Sequence, residues 1–326
     1  MNREESVSYL DSHWDLVVIG GGITGAGVFE LACRQGLRCL LLEQRDFAWG
    51  TSSRSGKLVH GGLRYIAQGQ LMTSFHSVRE REKLLRRFAG LVNPITFVFR
   101  PPKGGLPIRW GVGAFLTLYD MMAGRMSHRY HPETAFQNLA PGLRGDAAGG
   151  FSFTDGTTDD SRLVLRVIRE GQRQGGTALN YVAARELLRG PNDAVKGVLV
   201  EDVLTGQEHT VGADVVINAT GAWADELREP LGHAPRLRKL RGSHLVFPRQ
   251  RLPLDRAVGL TSPIDGRNMY VMPWEGMTLL GTTDLDHDAE MSQEPHISPE
   301  EGNYLLETIN HWFPEAALNR SDVVST

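Results

Sequence analysis

DLVVIGGGITGAGVFELACRQGLRCLLLE, residues Asp15 to Glu43, changes its period twice in a short span. Asp15-Leu16-Val17-Val18-Ile19 is apolar and β-branched, the composition of a strand buried on both faces of a parallel sheet. It runs into Gly20-Gly21-Gly22. From Thr24 the spacing becomes helical, with Val28, Leu31, Ala32 and Gln35 expected on one side and Gly36 as the stop. Leu37 to Glu43 is a second buried strand ending in an acid, so the stretch reads as a right-handed βαβ unit. Gly20, Gly22 and Gly25 complete G-x-G-x-x-G between strand and helix. Gly20 permits the tight turn, Gly22 lets backbone approach a pyrophosphate, and Gly25 lets the helix pack close to the strand. The helix N-terminus offers amides and a positive dipole end to phosphate. Glu43, closing the second strand, can accept hydrogen bonds from ribose hydroxyls. An acid there disfavours a 2′-phosphate, which leaves FAD or NAD as the dinucleotide.

The whole chain has 326 residues, 41% of them hydrophobic, room for roughly two domains of about 150 residues each. That excludes a disordered tail or a disulfide miniprotein. With 35 Lys and Arg against 38 Asp and Glu the net charge is −3, so no basic field recommends nucleic acid as a partner. A small anionic substrate needs only a few local cations. Cys33 and Cys39 are too few for a disulfide framework or a four-ligand zinc site; they read as packing residues and suit a reducing, cytoplasmic compartment. The polar start MNREESVSYLDSHWD lacks the apolar core of a signal peptide. The longest charge-free run of moderate hydrophobicity, Trp110 to Tyr119, is about half of the roughly 20 residues of a spanning helix, which argues against integral insertion.

Further along, residues 50 to 65 combine four glycines with four Ser or Thr and read as a long functional loop. Arg79 to Ala89 reads as a helix with a solvated charged face. Asn93 to Ala148 breaks the βαβ rhythm and reads as an inserted cap. Asp160 to Gln174 regains helical spacing with Leu163, Val164, Val167 and Ile168 as the buried stripe. Strands are expected at Thr177 to Val182, Val195 to Val203 and Val211 to Asn218. The last of these leads into Ala219-Thr220-Gly221, a second place where backbone can approach the cofactor, which favours FAD. Ser243 to Phe247, Asn268 to Pro273 and Thr278 to Thr283 read as an antiparallel sheet. Ser298 to Trp312 opens with an N-cap, a Pro and two acids and reads as a helix. His128 and His131 lack a third ligand at suitable spacing, so no metal site is expected. The expected fold is α/β: a Rossmann-like FAD-binding domain over 12–76 and 151–228, with a discontinuous antiparallel-sheet (α+β) substrate or cap domain over 77–150 and 229–326.

The run GTSSRSGKLVHGGLRY, Gly50 to Tyr65, resembles the signature loop of FAD-dependent glycerol-3-phosphate dehydrogenases, members of the D-amino-acid-oxidase-like flavoprotein superfamily. Asp160-Ser161-Arg162-Leu163-Val164-Leu165, Asn218 to Trp223, Arg241 to Val246 and Gly281-Thr282-Thr283-Asp284 match in the family's order. The resemblance implies FAD-dependent oxidation of sn-glycerol 3-phosphate to dihydroxyacetone phosphate. Hydride passes from C2 to flavin N5, electrons go on to quinone or another acceptor, and the protein contacts the inner face of the cytoplasmic membrane peripherally.

Such a site needs a cation for the phosphate, a base for the C2 hydroxyl and a flavin held edge-on. Arg64, with Tyr65, is the expected substrate clamp, because guanidinium grips phosphate bidentately. Thr51, Ser52, Ser53 and Lys57 are expected pyrophosphate or ribose contacts, with loop capping as the serines' alternative. His60, with Gly61 and Gly62, is expected against the flavin ring. Thr220 and Gly221 are expected at the cofactor, and His244 as the base or positioning group. Trp110, Phe115, Leu116, Leu118, Met121 and Met122 read either as an interfacial surface or as cap core.

In the family a catalytic arginine and a Gly-Gly-Lys-Leu-Thr-Thr-type return segment follow the position of Ser325-Thr326. Neither is in this sequence, so it reads as an N-terminal portion whose last residues, Asp322 to Thr326, open a strand. Two alternatives remain at this level: a related FAD-dependent amine or 2-hydroxy-acid oxidase, and a flavoprotein fragment without activity.

Overall fold

A computed structural model describes Arg3 and residues 7–101, 105–145, 149–291 and 293–326. The chain folds as two compact units, each built from two segments: residues 1–55 with 159–239, and residues 56–158 with 240–326. The sequence reading placed the crossings at 76/77, 150/151 and 228/229. The difference at the first two crossings has one physical cause. Leu58–Val59 and Gly149–Thr158 pair with each other, and the latter pairs with Val92–Phe99, so all three belong to one sheet.

The first unit opens with β1 (His13–Ile19), α1 (Ile23–Arg34) and β2 (Cys39–Glu43). The second unit begins with β3 (Leu58–Val59), α2 (Leu63–Ala67), α3 (Leu71–Arg87) and β4 (Val92–Phe99). It continues with α4 (Gly105–Ala123), β5 (Arg129–Pro132), α5 (Glu133–Leu139) and β6 (Gly149–Thr158). The first unit is then completed by α6 (Asp160–Arg173), β7 (Thr177–Asn180), β8 (Val182–Arg189), β9 (Val195–Asp202), β10 (Gln207–Asn218) and α7 (Ala224–Arg228). Back in the second unit come β11 (Leu240–Arg241), β12 (His244–Pro248), β13 (Ala257–Thr261), β14 (Asn268–Trp274), β15 (Met277–Gly281), β16 (Leu285–Asp286) and α8 (Pro299–Trp312).

In the first unit six strands run in the order β7-β2-β1-β10-β9-β8. β1 is parallel to β2 and to β10, while β9 pairs antiparallel with both β10 and β8. β1 is apolar throughout its centre because it is covered on both faces; Val17 and Val18 are both fully buried. α1 forms where expected and stops at Gly36, whose φ is +86°. Its buried face differs from the expected stripe: Leu31 is 49% exposed, whereas Ala26, Phe29, Ala32 and Cys33 are inside. α1 packs against α6, and Gly171 and Gly176 at and beyond the end of α6 leave space that the Phe29 ring fills. The α6 stripe of Leu163, Val164, Val167 and Ile168 is buried as read.

In the second unit an eight-stranded sheet runs β12-β15-β14-β13-β4-β6-β3, with β5 on β6. Alternate residues of the same strands feed two cores. Val98, Val271 and Leu280 pack with Leu305, Ile309 and Phe313 around α8, and Phe97, Met272 and Leu279 pack with Leu116 and Tyr119 of α4. Each fully buried Leu, Val or Phe contributes about 1.5–3 kcal/mol. α8 starts with a full capping box between Ser298 and Glu301. Backbone of Val324 and Ser325 bonds Val246 on β12, which gives the strand-like reading of these residues its partner.

Two expectations are overturned in this unit. Residues 50–65 are not one open loop, because a 3-10 turn at Thr51–Ser53, β3 and the first three residues of α2 lie within them. The segment Arg79 to Ala89 is not solvated all round: Arg81 is 1% exposed and sits in the core with Val78. Leu116 is wholly buried, so it belongs to the α4 core and not to an outer surface. Among the described residues no helix is long and apolar enough to cross a membrane.

Candidate functional site

The order of the first sheet reverses its direction of growth at β1, and a cleft opens at the carboxyl ends of β1, β2 and β10, where open α/β sheets bind ligands. Its volume is about 560 Å³. Gly20, Gly22, Ile23 and Thr24 line it from the turn, Glu43 from the end of β2, Thr51 and Ser52 from the next turn, and Thr220 and Gly221 from the end of β10. Backbone of the turn is fixed by Gly20 donating to the Leu42 carbonyl at 2.8 Å and Ala219 donating to the Ile19 carbonyl at 2.8 Å. Gly25 does not line the cleft. It lies beneath it, where a Cβ would overlap the Gly20 carbonyl oxygen.

Gly22 caps α1 without a side chain, and Ser52 supplies the missing acceptor from another element: its Oγ accepts from the Ile23 amide at 2.9 Å. The Glu43 carboxylate accepts from the Gly21 amide at 2.7 Å and the Arg45 amide at 2.9 Å. A carboxylate has about four acceptor positions, so both oxygens keep capacity for ribose hydroxyls. A cleft of this volume, with glycine backbone at a helix start, two hydroxyls and an acid at the second strand's end, fits a dinucleotide. Thr220 is oriented by its own neighbourhood, its hydroxyl donating to Asn218 Oδ1 at 2.7 Å. Ser53 is turned to its own turn, with Oγ donating to the carbonyls of Trp49 and Gly50.

The sequence reading missed one wall of this cleft. Trp49 and Trp223 line it with ring centroids 5.8 Å apart, and the Arg45 guanidinium stacks 3.8 Å from the Trp49 ring centroid. Val182, Ala184 and Arg185 of β8 line it as well. No local sequence signal marks them: the turn at Tyr181, at φ +55°, carries the chain from β7, beside β2, into β8.

The remaining expected residues belong to the second unit. Lys57 has φ +58°, its carbonyl accepts from the Thr158 amide, and its Nζ lies 5.1 Å from the Trp274 ring centroid. Gly62, at φ +73°, starts α2, which carries Arg64 exposed with its guanidinium 5.8 Å from the Tyr65 ring centroid. The exposed His60 ring lies 6.4 Å from Tyr65. Behind this turn the Gly61 amide donates to Tyr119 Oη and to Asp155 Oδ1, both at 3.0 Å. Arg81 Nη1 donates to the same two atoms, at 2.6 and 2.8 Å. Burial pushes the Tyr119 phenol well up, the Asp155 charge acting in the same direction, so it is a hydroxyl at physiological pH. Burial also pushes the Asp155 carboxyl up, against the pull of Arg81. None of this trio was found from sequence: Arg81 sits in a charged run that reads as solvated, and its partners Tyr119 and Asp155 lie 38 and 74 positions away.

His244 begins β12 opposite Gly281. Its ring lies beside Gly281 and Gly56, where side chains at either glycine would meet it, and Tyr270 donates its hydroxyl to the Gly56 carbonyl at 2.8 Å. The expected residues thus fall into two sets. Gly20, Gly22, Glu43, Thr51, Ser52, Thr220 and Gly221 share one cleft of the first unit, and Lys57, His60, Gly61, Gly62, Arg64, Tyr65 and His244 are elements of the second.

Comparison with known proteins gives the same direction. A family model described as FAD dependent oxidoreductase matches residues 15–326. The aerobic glycerol-3-phosphate dehydrogenase of Bacillus subtilis is 38% identical over 319 residues, 96% of this chain and 57% of that protein. That of Staphylococcus haemolyticus is 34% identical over 333 residues, 100% of this chain and 60% of its own length. The crystal structure of the glycerol-3-phosphate dehydrogenase from Bacillus halodurans complexed with FAD superposes with a TM-score of 0.81 at 32% identity, covering 99% of this chain and 58% of that one. The chain therefore spans about three fifths of the length of these relatives.

Proposed function

Because the chain belongs to the family of FAD-dependent oxidoreductases, we propose that it oxidises sn-glycerol 3-phosphate to dihydroxyacetone phosphate, passing electrons on to a quinone or another acceptor. The observation that supports this reading is the Gly50–Tyr65 segment, together with similarity along this chain to about three fifths of the length of dehydrogenases of that substrate. Bound FAD supplies the acceptor for the hydride that leaves C2. In the first unit the Gly20–Thr24 turn holds the pyrophosphate, Glu43 the ribose, and Thr51, Ser52, Thr220 and Gly221 the remaining polar edge. In the second, Lys57, His60, Gly61 and Gly62 serve the flavin side. Arg64 and Tyr65 grip the substrate phosphate, and His244 takes the proton of the C2 hydroxyl.

The purified chain is expected to be yellow and to bleach when glycerol 3-phosphate is added without oxygen. Persistent colour, or a chain that takes up no FAD, overturns the reading; bleaching by an amine or a 2-hydroxy acid instead moves it to the related oxidases. Arg64→Ala is expected to raise the half-bleaching concentration by about 10–100-fold, the loss of one hydrogen-bonded charge, with flavin content unchanged. An unchanged half-bleaching concentration removes Arg64 from the phosphate.

Peripheral contact with the inner face of the cytoplasmic membrane belongs to the same proposal. α4 turns Leu116 and Tyr119 inward and leaves Leu106, Trp110, Leu118 and Met121 on its outer side, Trp110 75% and Met121 69% exposed. Apolar residues on one side of a surface helix suit an interfacial position. Trp110→Glu with Met121→Glu should abolish flotation with anionic phospholipid vesicles while leaving thermal stability intact; undiminished flotation rejects this surface.

A further inference from the structure

Two turns of α3 reach the Gly61–Gly62 turn at both of its ends. Ser74, Val78 and Arg81 share one face of the helix by their spacing, and all three are buried. Ser74 Oγ donates to the Gly62 carbonyl at 3.0 Å. Arg81 donates to Tyr119 and Asp155, and these two accept the Gly61 amide. The Tyr119 hydroxyl closes the ring on Asp155 Oδ2 at 3.2 Å. The other edge of the guanidinium is held by Glu82 Oε1, at 3.2 Å from Nε and 2.9 Å from Nη2, and Arg125 backs Glu82 at 3.3 Å. A Cβ on Gly61 would overlap Tyr119 Oη and Val78 Cγ2, so the turn is pressed against its supports.

Buried ion pairs are poor devices for stability, since well-packed apolar residues of the same volume often do as well or better. Here the pair ends on one backbone amide of a buried glycine turn that lies between the exposed His60 and Arg64, and that amide is what an apolar core could not orient. We infer that Asp155, Tyr119, Arg81 and Ser74 are positioning residues. They hold the Gly61–Gly62 peptides rigid, and through them fix where His60 and the α2 residue Arg64 stand. The inference rests on the proposed role of Arg64 for its kinetic consequence, but not for the rigidity of the turn.

The test uses Tyr119→Phe and Ser74→Ala, each removing one hydroxyl, with Asp155→Asn as the stronger change, all in the full chain. Hydrogen exchange of the peptide spanning residues 60–65 is expected to accelerate at least about tenfold in Tyr119→Phe and Asp155→Asn, which remove a hydrogen bond to a charged group, and at least about threefold in Ser74→Ala, which removes a neutral one. The same variants are expected to raise the glycerol 3-phosphate concentration for half-bleaching by a comparable factor, with flavin content and the limiting bleaching rate near wild type. Unchanged exchange in Tyr119→Phe and Ser74→Ala overturns the inference, as does accelerated exchange with an unchanged half-bleaching concentration. If the wild-type chain does not bleach at all, the proposed substrate falls, and the exchange measurement alone decides whether the turn is held. Should Asp155→Asn fail to fold, the two hydroxyl deletions still decide it.

Discussion

Gly25→Val should yield a chain that no longer holds a dinucleotide. Even a methyl group at this position would overlap the Gly20 carbonyl oxygen and touch Ala219 Cβ at 3.4 Å. Neither neighbour is the far end of a flexible side chain, so the strain can be relieved only by lifting α1 away from β1 and breaking the turn between them. Overpacking against backbone costs about 3 kcal/mol or more, and the loss falls on the residues that line the cleft. The measurement is flavin absorbance retained through purification, with thermal melting of the same sample. Gly27→Ala is the matching control. It lies two residues away on the exposed side of α1, no atom among the described residues lies within 4 Å of its Cβ position, and a helix gains up to about 1 kcal/mol from the exchange. Stoichiometric flavin in Gly25→Val would show that the close approach of helix and strand is unnecessary.

Glu301→Ala is expected to damage the second unit comparably. Four donors converge on this buried carboxylate: Arg241 Nη2 at 2.6 Å, Thr283 Oγ1 at 2.6 Å, Ser243 Oγ at 2.8 Å and the Ser298 amide at 2.9 Å. It thereby joins the first turn of α8 to the segments that lead into β12 and out of β15. Removing one partner of a buried hydrogen-bonded charge pair costs about 3–5 kcal/mol. Burial by itself would raise the Glu301 carboxyl, but the bonds from Thr283, Ser298, Ser243 and Arg241 outweigh it and hold it below its ordinary value of 4.5. A depressed acid contributes stability above its ordinary value and loses it as pH falls through the folded value. Tm of the wild type should therefore fall steeply below about pH 4.5, and Glu301→Gln should flatten that acid limb while lowering Tm at neutral pH. An identical acid limb in Glu301→Gln would assign the acid sensitivity to other carboxylates, Asp120 and Asp225 being two more that are held low.

What sequence could and could not reveal follows from the reach of each interaction. The β1–α1–β2 unit was readable because its signals are local: β-branched strands, a glycine turn and an acid at a fixed distance. The face of α1 was misread because its neighbour, α6, lies far along the chain, and the glycines that admit Phe29 are at 171 and 176. Arg81 was missed for a related reason. Its partners Tyr119 and Asp155 lie 38 and 74 positions away, and a guanidinium in the run REREK carries no mark of burial. Glu43, Ser52 and Thr220 were found because a strand end and a glycine-rich turn announce them. Trp49 and Arg185 were not: Trp49 stands in the turn after β2 without a motif to mark it, and Arg185 reaches the cleft because the turn at Tyr181 carries the chain from β7, beside β2, into β8.

The pairing of β1 has a consequence for biosynthesis. Val17 is registered with Leu40 on one side and with Val216 on the other. The first partner follows within seconds of translation, but the second is made about 200 residues later, roughly 10–40 s at ordinary elongation rates. Throughout that interval the strand ending in Leu16-Val17-Val18-Ile19 keeps one edge unpaired while the next hundred residues, destined for the other unit, emerge and begin to fold. A nascent chain built this way depends on holdase cover or on early closure of the second unit's first segment, and fast, unassisted overexpression is the condition under which it should aggregate.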